Sequence, residues 1–178
     1  METSRSIRLL NAAADILIVT TITLLVGVLA YRTILQTPLD SLEAELLKSG
    51  DYFKALPEVD FHNSPHTLVL ALDTKCPFCA QGIPFYKKLI AKSKESSAVR
   101  VIAVFSNKSE EVNSFVEQHQ LGVESVPNID LAKLGVDITP TVIWVNSNRR
   151  ILGSYEGMLQ TKQESAFLEL FDKRLFRR

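Results

Sequence analysis

The sequence predicts an α/β fold, a central mixed β-sheet flanked by helices, with a single apolar helix ahead of it. Two observations give the sheet and its cover. From residue 67 onward, apolar strand-like runs alternate with helix-like runs, which places helices over a sheet. The last two strand-like runs, 141–145 and 151–155, flank Asn146-Ser147-Asn148, a turn signal, so they pair antiparallel and make the sheet mixed. A third observation gives the leading helix: Ala12 to Tyr31 is almost uninterruptedly apolar.

The apolar stretch comes first in order. About twenty residues at about 1.5 Å each match a bilayer core. Asp15 is its one charge, and no polar face recurs between Ile16 and Ala30, unlike a soluble amphipathic helix. Arg5 and Arg8 precede it and Arg32 follows. The basic excess in front favours an N-terminus inside the cell, leaving the rest on the extracytoplasmic side. Val28-Leu29-Ala30 resembles a small-residue cleavage site, so a removed leader is the alternative. The expected organisation is an anchor or leader over 1–31, a connector over 32–57 and one α/β domain over 58–178. Within the connector, residues 39–47 have helical spacing, with Asp40 or Ser41 as N-cap and Ser49-Gly50-Asp51 as the stop.

In the domain, Thr67 to Leu72 reads as a buried strand and residues 77–94 as a helix. Val99 to Phe105 is a second strand. Ser109 caps a helix through about Gln120, stopped by Leu121-Gly122. Asp130 to Leu134 is a short helix ending at Gly135. Thr141 to Val145 and Ile151 to Tyr155 form the hairpin, with Trp144 as core. Thr161 to about Arg174 closes the chain as an amphipathic helix packing through Ala166, Phe167, Leu168, Leu170 and Phe171. The terminal Lys173, Arg174, Arg177 and Arg178 suit that helix's dipole, with anionic lipid as a second reading.

The 178 residues carry 20 acidic and 20 basic side chains, a balance that points away from nucleic acid. Two cysteines cannot build a disulfide framework, but they can form one reversible bond. They stand as Cys76-Pro77-Phe78-Cys79, between the first strand and the first helix. Unpaired N–H groups at a helix start favour a thiolate, the nucleophile of disulfide exchange. Cys76 is therefore the candidate attacking thiol, with Pro77 at the first helical position and Lys75 as a positive neighbour that tunes its pKa downward. Cys79, one turn along, is the candidate resolving thiol. An inert structural pair is the alternative. Phe78 either forms part of a substrate surface or packs on a neighbouring loop. Asp73 is a candidate proton shuttle or a solvated loop carboxylate. His62, His66 and His119 are of a type that ligates metal, but nothing local places them at the dithiol, and exposed polar residues are the simpler reading. No metal is expected.

Further residues complete a pattern. Pro84 lies five residues after Cys79, Gly135-Val136-Asp137-Ile138-Thr139-Pro140-Thr141 leads into a strand, and Gly153 and Gly157 fall in the last hairpin region. With the dithiol these resemble the thioredoxin superfamily over roughly residues 55–178. The stretch from Val99 through Asp130 to Gly135, and the N-terminal anchor, are similar to its membrane-anchored TlpA-type branch. The resemblance implies a thioredoxin-like sheet and a cis bond at Pro140 opposite the dithiol. Thr139 would offer backbone to substrate, with Pro140, Phe78 and Pro77 beside it. It implies a protein thiol–disulfide oxidoreductase with no cofactor beyond the Cys76–Cys79 dithiol. Its partners would be protein substrates with cysteines and a recycling redox protein in the membrane, with residues 12–31 in the bilayer and the domain on the periplasmic side. Four positions depart from the family. Lys75 replaces the usual Trp, Leu70 replaces a buried acid, and Pro77-Phe78 is closer to glutaredoxin and DsbA styles, so reductase and oxidase both stay open. Alternatives are a thioredoxin-fold copper delivery protein, which usually has three residues between its cysteines, and a non-catalytic binding module. A peroxidase would need Thr where Asp73 stands.

Overall fold

The computed structural model describes residues 16–31 and 50–176, with side chains to residue 173. The chain divides into two compact units, 1–40 and 41–178.

In the first unit, α1 runs over residues 16–31, exposed along its whole length. Its threonines satisfy their hydroxyls locally. Thr20 and Thr21 donate to the Leu17 carbonyl and Thr23 to that of Val19. The described helix rises about 24 Å at 1.5 Å per residue, short of a hydrocarbon core of about 30 Å. Among the described residues no helix is long and apolar enough to cross a membrane. The expected single transmembrane helix is thus not found there. Residues 12–15 of that expected span, and the helix expected over 39–47, lie outside the described residues.

The second unit holds five strands: β1 (His66–Leu72), β2 (Val99–Phe105), β3 (Glu124–Val126), β4 (Thr141–Asn146) and β5 (Ile151–Glu156). Their spatial order is β3-β2-β1-β4-β5. β1 and β2 pair parallel, as do β2 and β3, while β4 is antiparallel to both β1 and β5. The central β1 is buried on both faces, which is why it reads as a continuous apolar run rather than an alternation.

On one face Val69, Ala71, Ile102, Val104, Ile143 and Val145 meet Phe53, Leu56, Val59 and Phe61 from the segment before β1, and Leu131 and Val136 from the segment before β4. Residues 53–57, assigned to a connector by sequence, therefore contribute Phe53 and Leu56 to this core. Alternation along β4 turns Trp144 to the other face, where it packs on Phe171. There Phe85 stands edge-on to Phe167, with ring centroids 5.6 Å apart. These rings belong to α3 (Ile83–Ser93) and α5 (Thr161–Phe176), which the Lys92–Asp172 ion pair also joins at 2.6 Å.

The helix expected over 77–94 is two helices, α2 (Pro77–Gln81) and α3, meeting at Gly82. Pro84 has no N–H to give the carbonyl four residues back, so the helix cannot continue unbroken. A Cβ on Gly82 would lie 2.4 Å from the Tyr86 hydroxyl, so only glycine lets that ring lie across the junction. α4 (Ser109–Gln118) takes Ser109 as its first residue, not as its cap, and ends at Gln118 before Gln120 turns to φ 50°. Residues Ala132–Leu134 form a 3-10 turn closed by Gly135 at φ 79°, a left-handed position that suits glycine. His66 is not the exposed histidine expected. It accepts a 3.2 Å hydrogen bond from Nε1 of Trp144, and burial holds its pKa below the usual value, keeping the neutral acceptor form.

Candidate active site

The dithiol sits where β1 leaves the sheet. The Asp73 carbonyl accepts from the Cys76 amide at 3.2 Å, a tight turn that delivers Cys76 to the N-cap of α2 in extended conformation. Pro77 follows in the first turn, where a missing N–H costs nothing. Both thiols are free. Cys76 is partly exposed, and Cys79 is fully buried. Thr139 and Pro140 stand opposite, joined by a cis peptide bond. The Cys76 thiol donates to the Thr139 carbonyl at 3.4 Å, and the Pro140 carbonyl accepts from the Gly157 amide at 2.7 Å. Of the substrate-side residues expected from sequence, Thr139 meets the Cys76 sulfur through its carbonyl, Pro140 follows it across the cis bond, and Pro77 and Phe78 open α2 directly after Cys76.

The two sulfurs differ in acidity. Burial opposes ionisation of Cys76, but the Cys79 amide, the Cys79 thiol, the Thr139 side chain and the Phe78 amide outweigh it, and its pKa falls below the ordinary thiol value. Because α2 spans only Pro77–Gln81, its summed dipole is small, and these local donors carry the effect. Burial pushes Cys79 up to about 12, against the Asp73 amide, which donates to its sulfur at 3.4 Å. Burial, and then the charge of the two thiols and Glu164, raises the Tyr86 phenol.

The sign for reactivity follows from these shifts. At any pH below the ordinary thiol pKa, Cys76 is more ionised than a free cysteine, so its alkylation by iodoacetamide should begin at lower pH. Cys79 should stay silent until near pH 12. The check is a pH series of alkylation rates on reduced protein, read by peptide mass. An ordinary thiol profile at Cys76, or equal labelling of both cysteines, would refute the assignment.

Lys75 and Asp73 both direct their charged groups to partners other than the Cys76 sulfur. Lys75 directs its ammonium to Glu111, 3.1 Å away, so the tuning of Cys76 comes from the amides and Thr139. The Asp73 carboxylate is engaged by the Lys75 amide, the Ser106 hydroxyl and the Asn107 side chain, and it is the Asp73 amide that meets Cys79. Phe78 is exposed, as is Ile138, each with about half of its surface open (53%), and Met158 is exposed to a lesser degree. Ile138 and Met158 had no signature in the sequence, because single apolar loop residues carry no periodicity. Asn107 and Glu111 were also missed, standing 33 and 37 positions from Thr74, the residue that both hold.

Among the described residues no group of three or more His, Cys, Asp and Glu side chains is arranged to hold a metal. His62 pairs with Asp60, His66 with Trp144, and His119 lies on Phe115.

No protein-family model and no curated protein matches this chain. Solved structures do. A thiol:disulfide interchange protein from a Bacteroides species has a TM-score of 0.60 at 15% identity, covering 74% of this chain and 92% of its own. The thioredoxin domain of a thiol-disulfide oxidoreductase from Bacteroides vulgatus has a TM-score of 0.57 at 17% identity, covering 70% and 98%. A thiol-disulfide isomerase from Corynebacterium glutamicum has a TM-score of 0.56 at 17% identity, covering 74% and 94%. The fold of the second unit is thioredoxin-like.

Proposed function

We propose that the chain is a thiol–disulfide oxidoreductase acting on protein cysteines outside the cytoplasm. The observation that carries this is the pairing of a partly exposed, acidified Cys76 with a buried, proton-retaining Cys79 beneath it. Such a pair divides the labour of exchange. The Cys76 thiolate attacks a substrate disulfide and forms a mixed disulfide. Cys79 then displaces the substrate, leaving Cys76–Cys79 oxidised and the substrate thiol reduced. Run backward, the same steps oxidise a substrate. The Thr139 carbonyl beside Cys76 offers a backbone contact to an extended substrate, with Phe78, Pro77 and Pro140 around it. The dithiol is the whole redox centre, and a second redox protein, placed in the membrane on this reading, restores it after each cycle. The names of the structurally similar proteins support the same chemistry.

Residues 12–31 tether the domain to the membrane as a single pass. Supporting this are the exposed, apolar surface of α1 and the arginines ahead of it.

The test is a Cys79→Ser chain expressed at full length. It should accumulate mixed disulfides that survive for minutes to hours, the timescale of uncatalysed rearrangement. These should run as reducible high-mass bands and be absent when Cys76 is also replaced. The same chain should stay in the membrane pellet through alkaline extraction. Absence of any trapped disulfide would reject the exchange reading, and release into the supernatant would reject the tether.

A further inference from the structure

The turn that carries the dithiol is held from the side by a polar network that the exchange chemistry above does not use. Asn107 is its hub. Its Oδ1 accepts from the Thr74 amide at 2.9 Å, and its Nδ2 donates to Asp73 Oδ1 and Glu111 Oε2, each at 3.4 Å. The Thr74 hydroxyl and the Lys75 ammonium also close on Glu111. Asn107 is itself fixed. It lies two residues past the end of β2, where Phe105 pairs with Leu72 at the end of β1, and its carbonyl accepts from the Asn128 amide at 2.9 Å. An amide side chain is the suitable choice, because it is acceptor and donor at once. Aspartate would lose both donors and place a third carboxylate beside Asp73 and Glu111.

What this turn presents to the dithiol is the Asp73 amide, which points at the sulfur of Cys79. We propose that Asn107 is a positioning residue for the resolving step, holding the 73–75 turn so that the Asp73 amide stays on the Cys79 sulfur while that sulfur gains negative charge. This rests on the oxidoreductase reading. In the step, Cys79 loses its proton to solvent and its sulfur bonds to Cys76 as the bond from Cys76 to the substrate sulfur breaks. The electron pair leaves with the substrate thiolate. A buried sulfur turning anionic depends strongly on each donor, since little water reaches it. Cys76 takes its donors from elsewhere, namely Cys79, Phe78 and Thr139. Losing Asn107 should therefore slow the second step and spare the first.

An aryl disulfide such as 5,5′-dithiobis(2-nitrobenzoate), mixed with the reduced chain, separates the two. Attack by Cys76 releases one coloured aryl thiolate, and resolution by Cys79 releases the second. In Asn107→Ala the first phase should stay within about twofold of the unsubstituted chain, and the second should slow about tenfold or more, the scale of one hydrogen bond to a charged acceptor. A second phase of unchanged rate overturns the proposal. So does equal slowing of both phases, which would mark a general loosening. If Asn107→Ala does not fold, hydrogen exchange on the unsubstituted chain decides. A Thr74 amide protected like those of β1 supports the proposal, and one exchanging at loop rates overturns it. Absence of the first phase in the unsubstituted chain would instead reject the oxidoreductase reading itself.

Discussion

A Cys76→Ser chain is expected to lose disulfide exchange by on the order of 10³-fold or more while keeping its fold. A hydroxyl is not ionised at neutral pH and cannot replace a thiolate as nucleophile. Cys79 cannot take over, because it is fully buried, and burial is the largest cause that keeps its proton on. Stability should change little, since Cys76 is partly exposed and its thiol makes one long contact to the Thr139 carbonyl and a shared bond with Cys79. The measurement is reduction of insulin by dithiothreitol with catalytic amounts of the chain, paired with thermal unfolding. Retention of more than about a tenth of the activity would mean that Cys76 is not the attacking group.

The second large effect concerns stability. Phe53→Ala should destabilise the α/β unit by about 3–5 kcal/mol, the usual range for truncating a buried aromatic ring. Phe53 is 1% exposed and stands edge-on to Phe61 with centroids 5.7 Å apart. Backbone bonds lock its segment to the hairpin: the Phe53 amide donates to the Arg149 carbonyl at 2.7 Å, and the Ile151 amide to the Asp51 carbonyl at 3.0 Å. A loss of that size is a large share of the about 5–15 kcal/mol that holds most domains folded. Urea unfolding midpoints would measure it. A loss below about 1 kcal/mol would mean that this segment merely lies on the sheet.

The contrast between these two residues reflects what a linear sequence can carry. Cys76 was legible because its pattern is local: a strand, a spacing of two, a proline at a helix start. β1, β2 and β4 were legible for the same reason, each being a compact apolar run, and β5 through the turn signal ahead of it. Phe53 was not, because the segment around it is irregular and its apolar residues follow no period. β3 was missed because Glu124-Ser125-Val126 offers one apolar side chain, and its pairing with β2 is decided by tertiary contact. The break at Gly82 was half visible. Pro84 lacks the N–H that an unbroken helix needs, but the Tyr86 ring that demands glycine there is apparent only in three dimensions. In the site, Lys75 misled because charge proximity in sequence says nothing about which partner an ammonium selects. Its ammonium pairs with Glu111, which lies on another element. The network around Asn107 was invisible because ordinary polar loop residues carry no signature until two loops are folded together.

The borders of the sheet have a consequence for how such chains live side by side. β3 offers only Glu124–Val126 as an outer rim, and Glu124 there is clasped by Arg100 of β2. On the opposite rim, β5 joins β4 through an irregular register at Trp144/Val145, and Tyr52 bridges Arg150 just before β5 begins. The β3 rim is thus too short to present a long flat row of unclaimed amides and carbonyls, the template on which strands stack into fibrils. Packed closely, copies of the chain should therefore not join to one another through that rim.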